Sequence, residues 1–464
     1  MKNNKSKEFL ITVYLVCHNY EEYVEQAINS VLAQTYKNFE LIIIDDGSTD
    51  NSKDVINRYV KYPNVRIILQ ENKGLIATNN VAIRAANGKY VMRLDADDYL
   101  DESALLVLVN AIEESEDIAL VFPDYYYIDR HGNITGQERR HNFQADVNLL
   151  DQPAHGACTL IRREYLLEVG GYSSEFDCQD GWDVWLKLTE IYKVSNVNLP
   201  LFYYRMHGEN LTSNTEKILE TRSNIYKKHA ERLNKPNISV LAVLPVRGPS
   251  IDKNSQVLET LGGKSLIEWT IDEALSSEFV IEMIVTTPDQ EIIKLLSSSY
   301  GNNITLVERD PIDALENTSY RPAILSAIQY KDSSTYDAVL ELTAESPFRS
   351  SSYINKAINV MRVHDVDKVL GVITEDSVFY SHSGSGLELV GNDYNSDKLR
   401  LERDYLFRQC GGITLSKREC YFDSEKNING SKGHIILSRK ASLQVKNKFD
   451  LALAELHLSD TNIN

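Results

Sequence analysis

Cysteine is scarce and shows no paired spacing. Cys17, Cys158, Cys178, Cys410 and Cys420 make an odd set of 5 without a CxxC, which argues against a disulfide framework and reads as reduced thiols in a cytoplasmic protein. Positive charge is also short. Lys and Arg number 49 against 67 Asp and Glu, a formal net charge of −18, so the average field repels nucleic acid and anionic membranes. Peripheral membrane association through a local basic patch stays open. No apolar run approaches the ~20 residues of a membrane span, and the opening MKNNKSKEF reads as a short polar tail rather than a secretion signal. What is present is globular composition, 42% hydrophobic and 25% charged over 464 residues. That length exceeds one ordinary core and predicts two domains.

The most informative stretch is Leu94-Asp95-Ala96-Asp97-Asp98, at the end of the apolar run Tyr90, Val91, Met92. A strand end delivers these carboxylates together, where they repel one another. A hard divalent cation, Mn²⁺ or Mg²⁺, relieves that repulsion and is usually shared with a substrate's phosphates.

Around this cluster the first half alternates strand-like runs (9–17, 41–44, 65–69, 89–94) with helix-like runs (21–34, 52–60, 74–86). The rhythm predicts a mostly parallel sheet covered by helices on both faces. Ligands of such sheets bind at the carboxyl ends of the strands, where both Asp45-Asp46 and the cluster at 95–98 fall. A charged helix over 216–234 is broken by Lys235-Pro236-Asn237, and the alternation restarts at Ile238. The expected fold class is therefore α/β, two tandem Rossmann-like domains spanning 1–235 and 236–464.

Four groups fit one site: Val16-Cys17-His18-Asn19, Asp45-Asp46-Gly47-Ser48, the acidic cluster, and Gln179-Asp180-Gly181-Trp182-Asp183 followed by Tyr204-Arg205-Met206-His207. Together with ENKGL, RREYLLEVGGYSSEF and QDGWDVWLKL, they make residues 9–215 resemble the inverting family 2 glycosyltransferases of the GT-A fold. That resemblance implies a nucleotide-sugar donor, a UDP-sugar, and a glycan acceptor in cell-surface polysaccharide or glycoprotein assembly. It implies nucleotide contacts from Val16, His18, Asn19, Asp45, Asp46, Lys73, Asp95, Ala96, Asp97 and Arg205. Asp97, Asp98 and His207 would surround the metal of the DxD motif, with Arg205 closing over the diphosphate. Asp180 would be the general base. Asp183 is a reserve, three residues on and on the same helical face, equally read as a helix-start carboxylate. Trp182 and Trp185 are read either as acceptor-stacking surfaces or as core and wall, and His155 as part of an acceptor entrance. One departure stands out: the arginine that many members carry after ENKGL is absent, leaving Lys73 or Arg84 as substitutes.

From Ile238, LAVLPVRGPS, LGGKSLIEWTIDEAL, IEMIVTT, ESPFR and SLQVKNKFDLALAE resemble the cytidylyltransferases that activate sialic acid-like sugars. The departures fall on the chemistry. Asp252 sits in the phosphate loop, Gln444 and Lys446 stand where paired metal-binding aspartates belong, and Pro288 replaces an aspartate. The expectation is a non-catalytic domain that serves assembly or ligand binding, with a homo-oligomer formed through it. The rival is a bifunctional enzyme whose second half makes a CMP-activated acidic sugar. Arg247, Lys264, Arg309 and Arg349 survive as anion contacts or as structural ion pairs.

Overall fold

The computed structural model describes residues 9–138, 154–176, 178–207, 215–315, 320–330, 336–375, 377, 379–382, 384, 386–390 and 406–459. The polar tail 1–8 and Gly208 of the YYRMHG motif lie outside them. The chain divides into two compact units between Asn214 and Thr215. The sequence-based boundary near 236 falls one helix later.

In chain order the N-terminal unit runs β1 (Ile11–Cys17), α1 (Val24–Leu32), β2 (Phe39–Asp46), α2 (Ser52–Asn57), β3 (Val65–Gln70), α3 (Leu75–Ala85), β4 (Tyr90–Asp95), β5 (Tyr99–Leu100), α4 (Ala104–Ile112), β6 (Ile118–Ile128), β7 (Ile134–Glu138), β8 (Leu160–Arg162), α5 (Arg163–Glu168), α6 (Asp180–Ile191) and β9 (Lys193–Arg205). Strand β1 is buried along its whole length because it lies inside the sheet, parallel to β2 on one side and β4 on the other. Its alternate residues Ile11, Val13, Leu15 and Cys17 join a core with Leu41 and Ile43 of β2, the period-2 burial of a strand. Helix α1 closes that core with Val24, Ala27, Ile28 and Val31, the 3–4 spacing of an apolar helix face. The sheet order is β3-β2-β1-β4-β8-β6-β9-β5, with β7 on β6. It is mixed rather than mostly parallel. The short β8 runs antiparallel to both β4 and β6, and β5 runs antiparallel to β9.

The C-terminal unit continues with α7 (Thr215–Arg232), β10 (Val240–Pro245), β11 (Thr260–Leu261), β12 (Lys264–Ser265), α8 (Leu266–Leu275), β13 (Val280–Thr287), α9 (Gln290–Tyr300), β14 (Thr305–Glu308), α10 (Arg321–Tyr330), β15 (Ala338–Leu342), α11 (Ser351–His364), β16 (Lys368–Glu375), β17 (Tyr380–His382), β18 (Leu387–Leu389), β19 (Leu406–Lys417), α12 (Ser424–Asn429), β20 (Lys432–Ile436) and α13 (Lys448–Ser459). Its main sheet has the order β14-β13-β10-β15-β19-β16-β20. Helix α7 packs against α11, which is why it belongs to this unit. Both units are α/β, as expected. No helix among the described residues is long and apolar enough to cross a membrane, and none of the five cysteines is in a disulfide.

Candidate active site

The parallel register makes the site. Cys17 of β1 lies beside Asp45 of β2, and Val16 lies beside Asp95 of β4, so two acidic strand ends flank the exit of β1. The chain then turns through His18 and Asn19, the latter at φ 61°. Asn19 locks the turn by accepting from the N–H of Thr49 at 2.7 Å and donating its own N–H to Ser48 Oγ at 3.0 Å. His18 Nδ1 sits 3.0 Å from the Asp46 carbonyl oxygen.

The two aspartates differ. Both oxygens of buried Asp46 hold the following loop. Oδ1 accepts from Gln70 Nε2 at 2.7 Å and from the Lys73 N–H at 2.9 Å, and Oδ2 accepts from the Gly74 N–H at 2.9 Å. Asp46 thus fixes Lys73 near the strand ends. Arg84, the other substitute cation, stands in the last turn of α3, about 15 Å further along at 1.5 Å per residue, so Lys73 is the better placed. Buried Asp45 accepts only a long bond, 3.3 Å from the Ser48 N–H, and its Oδ1 has no hydrogen-bond partner among the described residues.

Beyond β4, Asp97 Oδ2 lies 3.0 Å from His207 Nε2, and the imidazole stacks on Tyr23 at 5.8 Å. Burial and then the charge of Asp95 raise the Asp97 carboxyl above the ordinary carboxylate range. Burial, Asp97 and Asp95 raise Asp98 well above it. Ala96, between them, is buried, as is Val16. Two of the expected site residues are held by the fold here. Asp98, expected as a further metal ligand, is 1% exposed; its Oδ1 accepts the Arg205 N–H at 2.8 Å and anchors the end of β9. Arg205, expected to close over a diphosphate, is 2% exposed. Its Nε donates to the Asp97 carbonyl at 2.8 Å and its Nη2 to Gln26 Oε1 at 2.8 Å, while Nη1 donates to the carbonyls of Asp129 and Arg130. Carbonyl oxygens accept from that guanidinium, and it shapes the turn after Asp97.

Do these residues suit a divalent cation? Among the described residues no three His, Cys, Asp or Glu groups form a ready cage. The donor set nevertheless fits. Asp95 is partly open, Asp97 and His207 adjoin, and Asp98 Oδ2 is buried with no hydrogen-bond partner among the described residues. Carboxylate oxygens with one imidazole suit a hard or borderline cation whose remaining positions a diphosphate fills.

Asp180 opens α6 after Gln179, which adopts φ 60°. Its Oδ2 accepts from Asn79 Nδ2 at 2.8 Å and from Arg93 Nη1 at 2.7 Å. Arg93 also pairs with Asp95, Nε to Oδ1 at 2.9 Å and Nη2 to Oδ2 at 3.2 Å. Asp183, the reserve base, forms an ion pair one turn on with Lys187. Trp182 and Trp185 are both 5% exposed, and Trp185 meets Phe122 edge-on at 5.7 Å, so they are wall and core. His155 packs among Tyr125, Phe202 and Tyr204. It also borders a cavity of about 20 Å³ with Gly156, Tyr172, Gly181 and Trp185, room for about one water.

Sequence reading missed Arg93 and the role of Asn79, and took Gly156 only as part of the acceptor entrance with His155. A signal existed for Arg93: it is a lone charge inside a buried strand, two residues before Asp95 and therefore on the same face.

In the C-terminal unit the surviving cations are mostly engaged. Arg349 Nη1 donates to the carbonyls of Gly411 at 2.7 Å and Gly412 at 3.2 Å. Lys264 Nζ meets Asp272 at 2.5 Å. Arg247 stacks on Tyr320 at 4.8 Å. Arg309 Nη2 donates to the Val246 carbonyl at 3.0 Å, while its Nε and Nη1 have no hydrogen-bond partner among the described residues. At the expected metal position, Lys446 donates its N–H to Asp450, and Pro288 precedes Asp289, which caps α9.

Comparison with known proteins agrees with the N-terminal reading. The family model "Glycosyl transferase family 2" matches residues 12–170. The Escherichia coli UDP-Glc:alpha-D-GlcNAc-diphosphoundecaprenol beta-1,3-glucosyltransferase WfaP is 31% identical over 227 residues, 47% of this chain and 86% of that protein. The chondroitin synthase of Escherichia coli is 28% identical over 239 residues, 51% of this chain but only 34% of the synthase. This chain therefore spans about a third of that relative's length. Among solved structures, Staphylococcus aureus TarS 1–349 superposes with a TM-score of 0.40 at 18% identity, covering 47% of this chain and 64% of that one. Coverage of most of the glucosyltransferase at this identity places the chain in glycosyltransferase family 2.

Proposed function

We propose that the N-terminal unit is an inverting glycosyltransferase that moves a sugar from a UDP-sugar to a glycan hydroxyl in cell-surface polysaccharide or glycoprotein assembly. The observation that carries this reading is the joint hold of Arg93 on Asp95 and Asp180. It puts a carboxylate at a helix start beside the acidic strand end that would take the nucleotide. Asp180 removes the acceptor hydroxyl proton as that oxygen attacks the anomeric carbon, and the bond to UDP breaks on the opposite side. Asp45, His18 and the Lys73 loop border the nucleobase and phosphates. Asp97 and His207, with Asp95, would hold Mn²⁺ or Mg²⁺, which supplies positive charge opposite the departing diphosphate. The names of the glucosyltransferase and chondroitin synthase relatives support a UDP-linked donor and a saccharide acceptor.

The test is a panel of UDP-sugars with lipid-linked and free oligosaccharide acceptors, with Mn²⁺ and with chelator. UDP release that needs both acceptor and Mn²⁺ is the expected result. A wild-type protein that neither binds nor consumes any UDP-sugar would sink the reading.

For residues 236–464 we propose a cytidylyltransferase-like domain without catalysis, retained for assembly into a homo-oligomer. Main-chain carbonyls and ion pairs engage Arg349 and Lys264, and Gln444 and Lys446 stand where carboxylates belong, which disfavours the rival CMP-sugar synthesis. Incubation of the full chain with CTP, Mg²⁺ and a nonulosonic acid should release no pyrophosphate, and light scattering should give more than the monomer mass.

A further inference from the structure

We infer that Arg93 is a positioning residue that couples the donor side of the site to its base; this rests on the transfer reaction proposed above. The guanidinium uses its two edges differently. Nη2 donates to Asp95 Oδ2 at 3.2 Å, and Nε lies 2.9 Å from Asp95 Oδ1 as a charge pair without a hydrogen bond of its own. Nη1 takes Asp180 at 2.7 Å. A planar, permanently charged fork of this kind sets angle as well as distance, which an ammonium cannot do.

The surroundings hold the fork still. Its side chain is 7% exposed, as against 8% for Asp180 and 25% for Asp95. Gly156 lies flush on it, since a Cβ there would come within 2.9 Å of Nη2. Gly181, directly after the base, packs on Gly156 so closely that its own Cβ would lie 3.2 Å from the Gly156 Cα. Beneath, the hydroxyls of Tyr14 and Tyr172 meet at 3.1 Å in a buried pair. Gly156 and Gly181 thus close one side of the guanidinium with backbone.

The consequence for the base is atomic. Arg93 and Asn79 both donate to Oδ2 of Asp180, and no described hydrogen bond falls on Oδ1. Oδ1 is therefore the proton acceptor, and its distance from the donor is set through Asp95 by one rigid group. A purely architectural arginine looks different in this same unit. Arg162 sends its Nε and Nη2 to the carbonyls of Ile118, Ile112 and Ser115 and touches neither acidic group of the site.

The experiment compares Arg93→Gln, Arg93→Gly and Arg162→Gln with the wild type for UDP-sugar transfer, donor KM, UDP binding and melting temperature. Misplacing a reacting group by about 1 Å costs about 100-fold in rate. Arg93→Gln should therefore lose kcat by about that factor, with a donor KM change of a few-fold at most. Added guanidinium ion should restore part of the kcat of Arg93→Gly. Arg162→Gln should lower the melting temperature and leave the kcat of the folded fraction intact. If Arg93→Gln does not fold, Arg93→Lys stands in and should show the same kcat-selective loss. A wild-type kcat in the Arg93 variants, a loss that tracks only the folded fraction, or no guanidinium rescue overturns the inference while leaving the transfer reaction standing. A wild type inert towards every UDP-sugar instead removes the reaction, and the inference with it.

Discussion

The strand ends of the two units carry opposite charge states of satisfaction. In the N-terminal unit, carboxylates crowd without enough partners: Asp45 Oδ1 and Asp98 Oδ2 are buried and unpaired among the described residues, and burial with mutual repulsion raises the Asp97 and Asp98 acids. In the C-terminal unit, cations sit close to satisfied. Burial lowers Arg349 to about 10; its Nη1 donates to the carbonyls of Gly411 and Gly412, while its Nε has no hydrogen-bond partner among the described residues. Asp289 is buried but held below its usual range by the N–H groups of Ser250, Ile292 and Glu291. A folded protein tolerates unsatisfied buried charge where a ligand completes it. By that measure the carboxylates of the first unit leave room for a ligand, while in the second most cations serve the fold, although Arg349 Nε and Arg309 Nε and Nη1 have no hydrogen-bond partner among the described residues.

The comparison breaks most visibly at Asp180. Replacing it with Asn keeps the shape and the Asn79 and Arg93 neighbours but removes the proposed base. Turnover should fall about 10²- to 10⁴-fold with UDP binding retained, as read by single-turnover kinetics and by thermal shift. Undiminished turnover would move the base elsewhere.

In the second unit the largest effect should be on stability. Arg349→Ala removes a guanidinium that is 1% exposed and strands the Gly411 and Gly412 carbonyls it serves. The expected loss is about 3–5 kcal/mol in denaturant unfolding, with UDP-sugar turnover of the folded protein unchanged. Unchanged stability with altered nucleotide binding would make Arg349 a ligand contact.

The acidic cluster should link metal to pH. Without a cation, the folded chain holds the Asp97 and Asp98 protons more tightly than the unfolded chain does. Their contribution therefore favours folding below the ordinary carboxylate value of about 4. It is lost as pH rises through the elevated folded values. On the proposed reading, Mn²⁺ would bind the deprotonated cluster and replace that lost favour. The gain in melting temperature from Mn²⁺ should be larger at pH 7.5 than at pH 5, and Asp97→Asn should flatten the difference. An equal gain at both pH values would separate the cation from these acids.

Much of this was legible in sequence. The strand and helix rhythm from Phe9 to Leu94 is set by period-2 and period-3.6 burial, and the observed elements follow it closely. Strand-end placement brought Asp45, Asp95 and Asp97 to one rim. What stayed hidden depends on contacts distant in sequence. Asp180 meets Arg93 across 87 positions, and Arg205 meets Asp98 across 107. Side-chain type cannot show whether a guanidinium faces a phosphate or a carbonyl. The strand-like CTLI segment overlaps β8, but its antiparallel direction stayed hidden because a three-residue strand carries no sign of its partners.

The smallest effect is expected at Lys264, and it sharpens the contrast most finely. Its ammonium lies 2.5 Å from Asp272 Oδ2, but the two side chains are 37% and 39% exposed, and it also sits 4.5 Å over the Trp269 ring. Water screens such a pair, so Lys264→Met should change unfolding free energy by less than about 1 kcal/mol, the lost charge being offset in part by a methionine packed on the indole. Raising salt should shrink the difference further, because exposed charge pairs weaken with ionic strength. If Lys264 served a bound anion instead, the same substitution would leave stability untouched in buffer but abolish a melting-temperature gain from added CTP. Equal behaviour of wild type and variant towards CTP would assign Lys264 to the fold, as its contacts with Asp272 and Trp269 indicate.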